Sequence, residues 1–113
     1  MATKTPRTDL FNQCLARFLA NSQVVINESF TKYEYVKPPT LVEDEGLRYV
    51  RIWSKDASDT SGSRGSAWAF IDKTNGDILK PDGWKKPAKH ARGNIYAPNA
   101  MEQISWTGPA YLK

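Results

Sequence analysis

The chain has 113 residues, 40% hydrophobic and 12% aromatic, which is enough apolar material for one core and too little chain for two. One cysteine, Cys14, and one histidine, His90, leave no internal disulfide and fall short of the roughly four Cys/His ligands of a structural zinc site. The net charge of +4 is uneven: residues 1–46 carry five Lys/Arg against six Asp/Glu, and residues 47–113 carry eleven against six. The positive excess therefore lies in the second half, where Lys80, Lys85, Lys86, Lys89 and Arg92 face Asp82. Such an asymmetry suits phosphates or an acidic protein surface, and also an ordinary solvated face.

In chain order, residues 1–9 lack the apolar run of a secretory leader and no stretch approaches the roughly 20 apolar residues of a membrane span, so the expected compartment is the cytoplasm. Thr8 or Asp9 suits the N-cap of a helix whose apolar face is Leu10, Phe11, Cys14, Leu15, Phe18 and Leu19, with Gln13 and Arg17 on the other side. Asn21-Ser22 predicts its end, because short polar side chains compete for the backbone. Cys14 reads as a core thiol, since nothing nearby in sequence would lower its pKa.

Val24-Val25-Ile26 and Phe30 to Val36 read as strands, or as one bent strand interrupted at Asn27-Glu28, ended by Pro38-Pro39. Glu43-Asp44-Glu45-Gly46 reads as an acidic turn. Leu47 to Trp53 reads as a strand with Val50 and Ile52 toward the core and Tyr49, Arg51 and Trp53 together on the opposite face. Lys55 to Gly65 is small and polar and predicts a mobile loop.

Asn75-Gly76 between Ser66–Asp72 and Asp77–Lys80 is a strong hairpin signature. A three-residue loop with Gly76 left-handed would place Ala69, Ile71 and Leu79 on one face and Trp68, Phe70 and Ile78 on the other. Pro87 to Gly93 suits a helix of one or two turns. Asn94 to Tyr96 could add a short strand, Asn99 could cap a brief helix through Ile104, and an aromatic tail ending in Lys113 would dock on the body. Together these predict a single α+β domain: an N-terminal amphipathic helix packed on a small antiparallel sheet containing a 66–80 hairpin, followed by short helical turns.

No catalytic constellation is legible. His90 stands among cations that oppose its protonation, and no Gly-x-Ser-x-Gly elbow is present. Gly62-Ser63-Arg64-Gly65 precedes a strand and is not a phosphate loop. Asp72, Thr74, Asn75 and Asp77 lack calcium-loop spacing and suit the turn's own hydrogen bonds. Asp72, Asp77 and Asp82 beside Lys80 or Lys85 resemble a nuclease set, but solvation at a hairpin tip accounts for Asp72 and Asp77. The chain is therefore expected to be non-enzymatic, with no metal and no cofactor.

The pattern that points to a function is cations interleaved with aromatics: Arg48, Arg51, Trp53, Lys80, Trp84, Lys85, Lys86, Lys89, His90 and Arg92. Cations that track phosphates beside rings that stack on bases are the means of binding single-stranded nucleic acid. Trp68 and Trp106 read as core, whereas Trp84, after a Pro-Asp-Gly turn, reads as exposed. The expected partner is nucleic acid, preferably single-stranded, or another phosphate-bearing ligand. An acidic host protein is the alternative.

The run Ala67-Trp68-Ala69-Phe70-Ile71-Asp72-Lys73-Thr74-Asn75-Gly76-Asp77, continuing through Trp84-Lys85-Lys86-Pro87-Ala88-Lys89-His90-Ala91-Arg92, is similar to short uncharacterised bacteriophage proteins. Those proteins carry an F-[IV]-D-K-x-x-G-D hairpin followed by W-K-x-P-A-K-x-x-R. The resemblance covers about 30 residues and transfers no catalytic residue. It implies a phage source and a bacterial host cytoplasm, where an effector of a host enzyme or defence system, or a minor virion component, would also fit.

Overall fold

The computed structural model describes residues 6–31, 37–55, 66–82, 87–102, 104–105 and 108–109. Its elements are α1 (Asp9–Ser29), β1 (Thr40–Glu45), β2 (Tyr49–Lys55), β3 (Ser66–Asp72), β4 (Asp77–Pro81), β5 (Pro87–Asn94), β6 (Ile104–Ser105) and β7 (Gly108–Pro109). Strands β1 to β5 form one antiparallel sheet in chain order, and β6 and β7 pair separately. The fold is α+β, with the N-terminal helix on one face of an antiparallel sheet.

Helix α1 starts where its cap chemistry places it: the Thr8 hydroxyl accepts from the Phe11 N–H at 3.0 Å, satisfying an orphan donor of the first turn. Phe11, Cys14, Leu15 and Phe18 are buried as the spacing requires, but Leu10 is exposed. The helix does not stop at Asn21-Ser22. It runs to Ser29, and Val24-Val25-Ile26 is helical rather than a strand. Ser22, one of the pair expected to break it, has a distant partner instead, as does the residue after it. Ser22 is fully buried with its hydroxyl on Met101 Sδ at 3.6 Å, and Gln23 bridges the Pro39 carbonyl (2.9 Å) and the Leu41 N–H (3.0 Å) at the sheet edge. Ile26 then extends the buried stripe. Phe30 caps the helix rather than opening a strand, and 32–36 lie outside the described residues.

The sheet presents Val50, Ile52, Ala69, Ile71 and Ile78 to the helix, and Ile95 completes this core. Glu43–Glu45 close strand β1 rather than forming the turn. The 66–80 hairpin forms with Gly76 at φ +81°, but its register differs by one residue from the expected one. Ile71 opposes Ile78 and Phe70 opposes Leu79, because the connection is Lys73–Gly76, closed by the Gly76 N–H on the Asp72 carbonyl at 2.7 Å. One more residue in the loop moves every β4 side chain to the other face. Trp68 nonetheless joins the helix-side core, since a bulge makes it the extra residue between the Ile52↔Ala69 and Trp53↔Ala67 pairs.

Pro87–Asn94 is an edge strand, not a short helix. A helix of two turns has little stability of its own, whereas β4 offers a row of backbone partners and proline is tolerated at the start of an edge strand. Asn99 to Glu102 form successive turns rather than a helix. The loop expected at about 55–65 lies, from 56 onward, outside the described residues, as does Trp106.

Candidate binding cleft on the outer sheet face

Opposed residues of a sheet share a face, so the register assigns one transverse row to the face away from α1: Asp44, Arg51, Phe70, Leu79 and Ala91. Val42 and Trp53 stand on one side of this row, and Tyr49 opposite Asp72 on the other. Phe70 and Leu79 are buried there, whereas Tyr49, Arg51 and Trp53 are half-buried. The sequence expectation that these three share the outer face holds. Beside the β1–β2 turn the face dips into a cleft of about 390 Å³ whose lining includes Asp44, Leu47, Arg48, Tyr49, Arg51 and Phe70.

Arg48 is the most developed group of this cleft. Its Nε and Nη2 donate to Asp72 Oδ2 at 3.2 and 2.9 Å, and its guanidinium lies 5.3 Å from the centre of the Tyr49 ring. The arginine side chain is 57% exposed while that of Asp72 is 4% exposed, so a fixed, buried anchor aims a largely solvated cation. Asp72 is itself held: its Oδ1 accepts from the Thr74 N–H at 2.8 Å and hydroxyl at 2.6 Å. Tyr49 meets Phe70 edge-on, with centroids 6.2 Å apart and planes at 85°. Arg51 donates through Nη2 to Asp44 Oδ2.

The β1 acids are matched one by one: Glu43 with Arg7 at 2.7 Å, Asp44 with Arg51, and Glu45 with Lys73 at 3.0 Å. The Lys73 side chain is fully buried, and its ammonium also donates to the Gly46 carbonyl at 2.8 Å. This ties the β3–β4 turn to the β1–β2 turn that shapes the cleft.

Burial pushes the Asp72 carboxyl up, but the Thr74 hydroxyl, the Thr74 N–H and the Arg48 guanidinium outweigh it and hold its pKa below the ordinary value. The same hydrogen bond and charge hold Arg48 further above its own. In the unfolded chain Asp72 takes a proton near pH 3.9, while the folded protein resists protonation to lower pH. The stabilisation is therefore fully present above that value and is lost as pH falls toward the folded pKa. Asp72→Asn should lower neutral-pH stability by about 1–3 kcal/mol and flatten the dependence of the melting temperature on pH below about 4. An unchanged acid slope in the variant would remove Asp72 from this account.

The other predicted site residues are dispersed. Lys80 is half-buried, with Nζ on the Pro109 carbonyl at 3.1 Å. Arg92 is 8% exposed, the extra residue of a bulge between the Ile78↔Gly93 and Leu79↔Ala91 pairs. Neither is the open surface cation that the basic run suggested. Lys89 is exposed on β5. Trp84, Lys85 and Lys86 lie outside the described residues, as does the His90 side chain. Asp72, expected to be solvated at the hairpin tip, is buried, while the turn does use its own side chains, Asn75 Oδ1 accepting from the Asp77 N–H at 2.9 Å.

Sequence reasoning missed Asp44, Leu47, Tyr49 and Phe70 as cleft residues. Strand alternation already put Tyr49 in phase with Arg51, but Asp44 and Phe70 join them through a register that single-strand patterns do not carry. Among the described residues no group of three or more His, Cys, Asp or Glu side chains is placed to hold a metal, and no helix is long and apolar enough to cross a membrane.

No curated protein and no solved structure matches the chain. Residues 5–112 match the model of one protein family. That match spans both the helix and the whole sheet with its cleft, and the chain belongs to the family of unknown function DUF7717.

Proposed function

We propose that this protein is a non-enzymatic binding module for single-stranded nucleic acid, of phage type and acting in a bacterial host cytoplasm, and that the outer sheet face is its working surface. The observation that carries this reading is the one-sided sheet. The helix occupies one face, and the other brings Arg48, Tyr49 and Arg51 together at a cleft, with Trp53 on the same face beyond Arg51. Rings at a sheet surface stack on bases at roughly 1–3 kcal/mol each, and adjoining guanidinium groups attract phosphates. The working surface thus moves from the Lys80–Arg92 run to strand β2, with Lys89 the exposed described cation at the far edge.

The test is fluorescence anisotropy with labelled single-stranded DNA and RNA across a salt series. Affinity should fall with salt by a log–log slope of about −0.7 per neutralised phosphate, and Arg48→Ala should make that slope shallower by about one such step. Tyr49→Ala should weaken binding roughly five- to tenfold without changing the slope. Undetectable binding at low ionic strength sinks the proposal.

One observation favours a protein partner instead: Leu47 is 51% exposed at the cleft mouth, and the arginines of the face are each paired with an acid. A host-protein effector predicts a complex from lysate that survives nuclease treatment.

A further inference from the structure

We infer that the cleft beside the β1–β2 turn takes one nucleobase bearing an exocyclic amino group, with Asp44 receiving the amino hydrogen and Arg48 meeting the adjoining phosphate; this rests on the nucleic-acid reading above. The cleft, at about 390 Å³, lies at the small end of ligand sites, room for one base and its sugar rather than a run of bases. Its walls are chemically divided. Tyr49, braced edge-on by Phe70, and the exposed Leu47 supply an apolar seat for a planar ring.

The polar groups at the cleft are of two kinds. Arg48 spends Nε and Nη2 on Asp72, which leaves Nη1 without a protein partner among the described residues and on an exposed side chain. Because Asp72 is locked by Thr74, this donor is held in place before any ligand arrives, which lowers the ordering cost of binding. Asp44 gives Oδ2 to Arg51, and its Oδ1 has no partner among the described residues. A phosphate seated at Asp44 would meet a carboxylate, so the phosphate belongs at Arg48 and the base edge at Asp44.

A carboxylate oxygen accepts hydrogen bonds and cannot donate them. It suits the amino group of cytosine, adenine or guanine, and cytosine is read by acids in this way. Uracil would turn its C4 carbonyl oxygen against the carboxylate instead. The charge-assisted bond gained in one case and the repulsion in the other act in the same direction.

The decisive comparison is between oligo-dC and oligo-dU of about twelve nucleotides, within the usual site size of a single-strand binder. The two carry the same number of phosphates, so the charge term cancels and the base edge alone differs: cytosine sets an amino group beside a bare N3, uracil a carbonyl beside an N3–H. Measured by anisotropy at low salt, oligo-dC should bind about tenfold more tightly than oligo-dU. Asp44→Asn, whose amide can donate to uracil as well as accept from cytosine, should bring the ratio toward one, while Arg48→Gln should weaken both oligomers alike. Equal binding of dC and dU by the native protein, or full discrimination retained in a folded Asp44→Asn variant, overturns the inference and leaves the nucleic-acid reading standing. Failure of both oligomers to bind at low salt removes both.

Discussion

Phe18→Ala should lower the unfolding free energy by about 3–5 kcal/mol, the range for emptying a large aromatic site in a packed core. Phe18 is 2% exposed and its ring lies 6.2 Å from that of Trp68, at 52°. The contact is between the middle of α1 and the bulge of β3, so its loss uncouples the helix from the sheet. Leu10→Ala is the control. Leu10 shares the apolar spacing of Phe18 in the sequence, but it is 60% exposed and should change stability by less than about 0.5 kcal/mol. Urea unfolding of the two variants, followed by far-ultraviolet circular dichroism, separates them. Similar midpoints would mean that the helix packs by a different face from the one described.

The pair also indicates how far sequence reasoning reaches. Local chemistry was legible: the Thr8 cap, the stripe from Phe11 to Phe18, the inward Val50 and Ile52 and the Asn-Gly hairpin depend on residues within a turn or two of one another. What was not legible depends on partners far along the chain. Asn21-Ser22 reads as a helix end because competition for the backbone is local, but Met101 engages Ser22, and the next residue, Gln23, reaches Pro39 and Leu41. Pro87 to Gly93 reads as helix by composition and becomes part of strand β5 because β4 leaves an edge to be paired.

The candidate site divides along the same line. Tyr49, Arg51 and Trp53 follow from the two-residue period of one strand. Asp44 and Asp72, which position the two arginines, follow from the register of β1 on β2 and β2 on β3, and register depends on loop length as much as on pattern. The basic run from Lys80 to Arg92 stands out in the sequence by its charge and by its overlap with the phage-protein resemblance. Bulge geometry then buries Arg92, and the β6–β7 pair engages Lys80. Charge counted along a chain is therefore a weaker guide to a surface than charge counted along a sheet face.

Bulge geometry also sets the second large effect, at Gly108. This residue is buried at φ +109°, and a Cβ added there would stand 2.6 Å from the Trp68 carbonyl oxygen. Trp68 is the extra residue of the β3 bulge, so its backbone is fixed by the ladders on either side and cannot retreat. Gly108→Ala thus combines a left-handed backbone that side chains resist with a clash against main chain, roughly 2–4 kcal/mol together. Gly76→Ala is the informative comparison. There φ is +81° and the Cβ would meet the Tyr96 ring at 2.5 Å, but that ring is 38% exposed and can swing aside, leaving the backbone penalty of about 1–2 kcal/mol. Thermal melts should therefore rank Gly108→Ala below Gly76→Ala. Amide exchange in the Gly108 variant should rise first at Trp68 and Lys80, where β7 meets the sheet. A Gly108→Ala protein that melts like the native one would mean that the Gly108–Pro109 strand does not dock against the bulge, and that Trp68 is held in the core from the helix side alone.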